Sequence, residues 1–340
     1  MRLAPAPSPP PFGWRAMRGR SKLVTWSPSV TLVPTSSCFN HCGYCGFRQT
    51  PHPQDPLADA LTEPEAQASL ERRPGAREVL LLSGEVAPQA PQRRPWLALL
   101  LRLSRLALAN GRLPHTNAGP LSLHEMAALG RLNPSMGLML EGLGPVWQRW
   151  HRQAPSKLLE LRLLQLEQAG RLGIPFTTGL LLGVGESTRD RRQALELIAL
   201  LQATWGHVQE VILQPYRPPG LSPAELDPAR CDELLDLIGE ARHILPPEVH
   251  LQLPPNLWPR QRLLEALEAG IDDLGGIDGD RDVINPAYAQ PSPQALARQL
   301  AAAGWELRPR LCVHRPWLDR LPSPLRQRAQ AMAQQLDRPG

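Results

Sequence analysis

Short apolar runs recur about eight times along this 340-residue chain, separated by longer stretches whose apolar residues fall three and four apart. The runs lie at residues 30–34, 79–83, 111–115, 137–140, 176–182, 210–214, 249–253 and near 271–274; stretches such as 155–171 and 189–203 separate them. The first pattern suits buried strands and the second amphipathic helices. Their regular alternation predicts parallel strands joined by helical crossovers, and eight repeats predict a closed (β/α)8, TIM-barrel-like α/β fold. One such barrel uses most of the chain, and 42% hydrophobic residues suffice to fill it.

Three segments follow. Residues 1–28, with Pro5, Pro7 and the run Pro9 to Pro11, lack a packed apolar pattern and are expected to form a Pro-rich flexible tail. The barrel is assigned to 29–291, and a C-terminal helical extension capping it to 292–340. Within the extension, Arg308, Arg310, His314 and Arg315 are expected to close one barrel end, and 325–336 to form a polar final helix after Pro322 and Pro324.

The formal charge of +5 comes almost wholly from arginine, since Lys22 and Lys157 are the only lysines, and the arginines are scattered among acids. That distribution argues against a nucleic-acid-binding stripe. No acidic residue precedes Asp55, so the region around 38–45 is cationic and favours anionic ligands. The most apolar stretch, 96–109, carries Arg102 and Arg105 and is too short to span a bilayer, so no membrane association is expected. Five cysteines are a low, odd count with no secretory signal ahead of them, which implies reduced thiols and a cytoplasmic protein.

In barrels of this kind, chemistry gathers where strands end. The first strand end carries Cys38, Cys42 and Cys45 in a Cys-x3-Cys-x2-Cys loop; the second Ser83-Gly84-Glu85; the third His115-Thr-Asn-Ala-Gly119; the fourth Glu141. Gly183-Val-Gly185-Glu186, Gln214-Pro-Tyr216-Arg217, Asn256 after two prolines, and Asp272-Asp273 with Gly275-Gly276 follow at the remaining four. Three closely spaced thiolates can hold three irons of a cubane cluster and leave the fourth iron open. Structural zinc is the alternative, with His41 or His52 completing the site, but neither gives the usual spacing and no second cysteine pair lies nearby. Cys231 and Cys312 read as small buried hydrophobes.

With Tyr44 before its third cysteine, the triad resembles the signature of the radical S-adenosylmethionine (SAM) enzymes. That resemblance implies a 4Fe-4S cluster whose open iron binds SAM and splits it to a 5'-deoxyadenosyl radical. It also implies SAM contacts at Tyr44 and at Ser83, Gly84 and Glu85, which would receive the ammonium group. Glu141 corresponds to a ribose contact, Arg162 to a partner of the SAM carboxylate, and Gly183, Gly185 and Glu186 to the loop along the adenosine.

A narrower resemblance, to the CofG family (the first subunit of FO synthase), rests on Thr31-Leu-Val-Pro-Thr35, Leu113-Pro-His-Thr-Asn-Ala-Gly119, Ser135-Met-Gly-Leu-Met-Leu-Glu141, Gln252-Leu-Pro-Pro-Asn-Leu257 and Asp273-Leu-Gly-Gly-Ile277. That family closes an adduct of 4-hydroxybenzyl and ribitylaminouracil into a deazaflavin with loss of ammonia. The resemblance implies a CofH-like partner enzyme that supplies the adduct and a low-potential electron donor such as ferredoxin or flavodoxin. Gln214, Arg217 and Asn256 are expected to bind substrate, and His115, Asp273 and Tyr216 to move protons. Other radical SAM enzymes of CofH, biotin synthase or menaquinone-pathway type, and a non-catalytic metal protein, remain as alternatives.

Overall fold

Parallel strands cannot be joined by a tight turn, and this chain supplies a crossover after each one. The computed structural model describes residues 22–52, 54–218, 225–278, 282–284 and 286–337. In chain order it contains β1 (Leu23–Leu32), α1 (Glu63–Glu71), β2 (Glu78–Leu82), α2 (Arg93–Ala109), β3 (Leu113–Asn117) and α3 (Leu123–Gly130). Then come β4 (Ser135–Gly137), α4 (Val146–Trp150), α5 (Leu159–Arg171), β5 (Phe176–Leu182), α6 (Thr188–Trp205) and β6 (Val208–Pro215). The barrel ends with α7 (Pro228–Ile244), β7 (His250–Gln252), α8 (Leu263–Ala269) and β8 (Asp273–Ile277). After it come α9 (Pro293–Ala302), β9 (Glu306–Pro309) and α10 (Ser323–Leu336).

Each strand pairs in parallel with the next, and β1 pairs with both β2 and β8, so eight strands close. All seven residues of β5 are buried, as expected of a strand covered on both faces. Alternation of side chains decides what faces the barrel axis. Glu78, Leu80 and Leu82 of β2 and Glu210, Ile212 and Gln214 of β6 line the central cavity, whereas Val79 and Leu81 are buried with Leu99 and Leu103 of α2. Capping boxes start three of the crossovers, with Thr62 and Glu65 at α1, Ser122 and Glu125 at α3, and Ser187 and Asp190 at α6.

One expected boundary shifts, and the extension differs in kind. Residues 1–21 of the expected tail lie outside the described residues, but 23–28 belong to β1 rather than to a tail. β1 has ten residues where β2 has five, and the unpaired lower half of β1 is covered by β9, from Leu23↔Glu306 to Trp26↔Pro309. The extension is therefore not wholly helical. Its strand delivers Arg310 into the barrel floor, between Glu210 (2.8 Å) and Asp273 (2.5 Å). Leu311, Val313 and Trp317 pack with Leu113, Leu321 and Leu325 beneath, sealing the amino-terminal end of the barrel.

Asp273 moves furthest from its expected place. It opens β8 instead of ending it, has no exposed surface, and is held by Arg310 and Thr25 at the end opposite the strand termini. The strand is Asp-Leu-Gly-Gly-Ile, whose glycine pair interrupts the apolar run by which a strand is recognised. Asp273 is a structural anchor for the floor, not a proton donor at the mouth.

Candidate active site

The loop after β1 is held from two sides. Gly84 N–H donates to the Thr35 carbonyl (2.7 Å) and Phe39 N–H to the Glu85 carbonyl (3.1 Å), tying it to the end of β2. On its other side, Gly43 N–H donates to the Trp150 carbonyl (2.8 Å) at the end of α4. Cys38, Cys42 and Cys45 are half-buried and line one cavity of about 160 Å³ together with Ser83, Gly84, Glu85, Glu141 and Arg162. Burial pushes the Cys42 thiol up to about 12 and, with the Glu85 charge adding, raises Cys38. Thiols in such a place ionise when a metal replaces the proton.

The donor set fits a cluster with one open position. His41 is engaged by Arg48 (2.8 Å), and His52 Nδ1 accepts from the backbone of Gln54, so neither completes a zinc site. Among the described residues no histidine lines this cavity. Cys231 lies on the buried face of α7 in the core, and Cys312 lies in the floor.

Opposite the thiols is a buried charge cluster. The Glu85 carboxylate accepts from Asn40 Nδ2 (2.9 Å) and Ser156 Oγ, and Arg162 Nη2 lies 3.4 Å from its other oxygen. Glu141 accepts from Tyr44, Lys157 and His151, and stands 3.8 Å from Arg162. Burial would raise both carboxyls, but for Glu141 the Lys157 charge, the His151 hydrogen bond and Arg162 outweigh it and hold the group well below the usual carboxylate range. Glu85 is likewise lowered, with Arg162 and Lys157 overcoming burial. Arg162 Nε is buried with no hydrogen-bond partner, a donor available to an anionic ligand. Glu141 also has a φ of 74°, the left-handed region, unique among the described non-glycine residues. Strain of that kind concentrates at functional sites.

Other expected residues are distributed differently. Glu186 accepts from the backbone of Gly183 (2.7 Å) and Val184 (2.8 Å) and pairs with Arg191 (2.8 Å), closing the loop after β5 on itself. None of Gly183, Gly185 and Glu186 lines the thiol cavity; Val184 instead packs with Trp147, and its carbonyl accepts from Trp150. Gln214, Asn256 and His115 line a second cavity of about 210 Å³ that runs down the barrel axis. Tyr216 packs on Trp150 outside it, and Arg217 donates to the Leu257 carbonyl (3.0 Å). His115 lies in the middle of β3, below the strand end, and burial together with Arg310 pushes its pKa down to about 3.

Asn40, His151, Ser156 and Lys157 belong to the site but carry no motif. Lys157 alone had a signal, as one of two lysines in an arginine-rich chain.

An eight-stranded barrel with three thiols on the loop after its first strand places the chain in the radical SAM superfamily, whose model matches residues 32–198. The fold resembles that of the FeFe-hydrogenase maturase HydG from Carboxydothermus hydrogenoformans, with a TM-score of 0.68 at 17% identity over 93% of this chain and 78% of that one. Methylornithine synthase (PylB) gives 0.62 at 14% identity, covering 84% of each chain. In sequence, the chain is 50% identical over 314 residues to the 7,8-didemethyl-8-hydroxy-5-deazariboflavin synthase of Synechococcus elongatus, covering 92% of both. It is 49% identical to that of Thermosynechococcus vestitus, over 90% of this chain and 97% of the relative. The chain belongs to the 7,8-didemethyl-8-hydroxy-5-deazariboflavin synthase family.

Proposed function

We propose that this enzyme closes 5-amino-5-(4-hydroxybenzyl)-6-(D-ribitylimino)-5,6-dihydrouracil to 7,8-didemethyl-8-hydroxy-5-deazariboflavin, with release of ammonia, methionine and 5'-deoxyadenosine. The observation that carries the reading is that the two cavities meet. Leu82, Asn117, Leu138, Met139 and Ile284 line both the thiol cavity and the barrel cavity, so a group bound against the cysteines faces a substrate held on the barrel axis. Contact at that junction is the near-attack arrangement a short-lived radical requires.

When bound, the cluster and SAM supply a radical able to remove a hydrogen atom from the substrate. Cys38, Cys42 and Cys45 would hold three irons. Arg162, through its orphaned Nε, suits the SAM carboxylate; Glu85, an ionised carboxylate, suits the ammonium; and Glu141 with Tyr44 suits the ribose hydroxyls. Gln214 and Asn256 offer amides to the uracil or phenol from the wall of the barrel cavity. The leucines and methionine at the junction exclude water from the reacting atoms.

The adduct is a reactive intermediate, so a CofH-like enzyme is proposed to supply it, and a ferredoxin or flavodoxin to supply the electron. Among the described residues no helix is long and apolar enough to cross a membrane. A cytoplasmic setting is proposed from the reduced thiols. The test is anaerobic incubation of reconstituted protein with SAM, a reductant and the output of a CofH-like enzyme. Deazaflavin fluorescence is the expected outcome; SAM cleavage without fluorescence would remove this substrate while leaving the radical chemistry.

A further inference from the structure

His115 projects from the inner face of β3, two residues below Asn117, into the barrel cavity. Its Nδ1 lies 2.7 Å from Ser135 Oγ. Ser135 has one hydroxyl proton, and that proton goes to the Cys312 carbonyl at 2.7 Å, a group that can only accept. The proton between Ser135 and His115 therefore sits on Nδ1, and Nε2 carries a bare lone pair. Among the described residues Nε2 forms no hydrogen bond. The position facing it is Gly137, where a Cβ would come within 2.9 Å of Nε2, so the glycine keeps the approach to that lone pair open.

Two more acceptors face the same cavity from its mouth. Asn256 directs Nδ2 to Asp282 Oδ2 (2.8 Å) and the Tyr288 carbonyl (3.2 Å), which fixes its amide and leaves Oδ1 buried without a partner. Gln290 Oε1 is buried and unpartnered in the same way. Unpartnered buried acceptors are costly, and a ligand rich in N–H and O–H donors recovers that cost.

Height along the barrel sorts those donors. The reacting rings belong at the junction with the thiol cavity, which Leu82 and Asn117 mark at the upper ends of β2 and β3. The part of the substrate that does not react is left for the space below, around His115, Thr177 and the Glu78, Glu210 and Arg310 floor. We propose that this lower space is a polyol subsite, in which His115 Nε2 accepts a hydrogen bond from a hydroxyl of the substrate's ribityl chain. The assignment rests on the deazaflavin reading above and gives His115 a positioning role in place of an acid-base one. Its low pKa agrees, because a group neutral throughout the physiological range accepts a hydrogen bond without taking the proton.

Two measurements test it. Nitrogen NMR of the full-length protein labelled at histidine should report His115 as the neutral Nδ1–H tautomer from pH 8 to 5; an Nε2–H tautomer overturns the proposal without need of a variant. Binding is then read with the fluorescent product 7,8-didemethyl-8-hydroxy-5-deazariboflavin and with an analogue carrying methyl in place of ribityl. His115→Leu should weaken the ribityl compound about ten-fold and leave the methyl analogue within about two-fold. Equal loss for both, or no loss, overturns the polyol subsite alone. Failure of the unaltered protein to bind either compound overturns the deazaflavin reading and the subsite with it.

Discussion

A Cβ placed on Gly84 would fall 2.1 Å from the Ser37 carbonyl oxygen. The end of β2 and the cysteine loop are thus in backbone contact, and glycine at 84 is what permits it. Resemblance to SAM enzymes assigned Gly84 to close approach by the cofactor; the structure shows that it first admits the loop carrying the thiols. Gly84→Ala must push that loop away. Stability should fall by about 1–3 kcal/mol in urea denaturation. Iron bound per chain should fall as well, and an alanine variant with full iron content would show that the loop tolerates the displacement.

Glu141 unites two effects that substitution can separate. Its carboxylate balances buried Lys157 and accepts from Tyr44 and His151, while its backbone is held at φ 74°. Glu141→Ala removes the carboxylate and keeps the backbone strain, whereas Glu141→Gly removes both. The glycine variant should be more stable than the alanine variant by about 1 kcal/mol, although both leave the buried charges of Lys157 and Arg162 to share Glu85 alone and lie about 3 kcal/mol or more below the parent. Chemical denaturation of the three proteins at pH 7 measures the order, and alanine above glycine would mean that position 141 is unstrained.

How much of this was legible beforehand depended on whether a signal was local. β5 is recovered residue for residue from Phe176 and the Leu180 to Leu182 run with the β-branched Thr177 and Thr178 between them, a composition that suits a strand buried on both faces. β8 was misplaced because its defining residues are glycines. β9 was invisible because four half-polar residues become a strand only where β1 outruns β2. The site divides in the same way. Cys38, Cys42 and Cys45 are close in sequence and carry their own spacing, but Asn40 and Ser156, 116 residues apart, join at Glu85 only through the fold.

His207 offers a test in acid. It is fully buried in the core, and burial pushes its pKa down to about 4, against the Leu166 carbonyl and with the charge of Arg320 adding. Above its ordinary value of 6.5 the imidazole is neutral whether the chain is folded or not, so it adds no pH dependence. As pH falls from 6.5 toward 4 the unfolded chain takes up a proton that the folded chain refuses, and stability is lost through that window. The loss attributable to His207 is on the order of 3 kcal/mol. His207→Leu removes it, so the stability of the variant should decline less steeply than the parent's between pH 6.5 and 4. Parallel curves across that range would mean that His207 titrates normally in the fold.

The five cysteines should sort into two groups on chemical grounds. Cys38, Cys42 and Cys45 are half-buried on one cavity wall, where burial disfavours their thiolates unless metal is bound. Cys231 has no exposed surface among the core leucines of α7, and Cys312, pushed up by burial, donates weakly to the Leu113 carbonyl. Neither can reach an iron in the thiol cavity. If the first three are the protein's ligands to the cluster, as proposed, replacing any one of them by alanine should lose iron and the brown absorbance together. Cys231→Ala and Cys312→Ala should retain both, at a stability cost of about 1 kcal/mol for the small void left behind. Iron and sulfide analysis after anaerobic reconstitution of all five variants decides it, and comparable loss from either of the last two would mean that the ligand set extends beyond the loop.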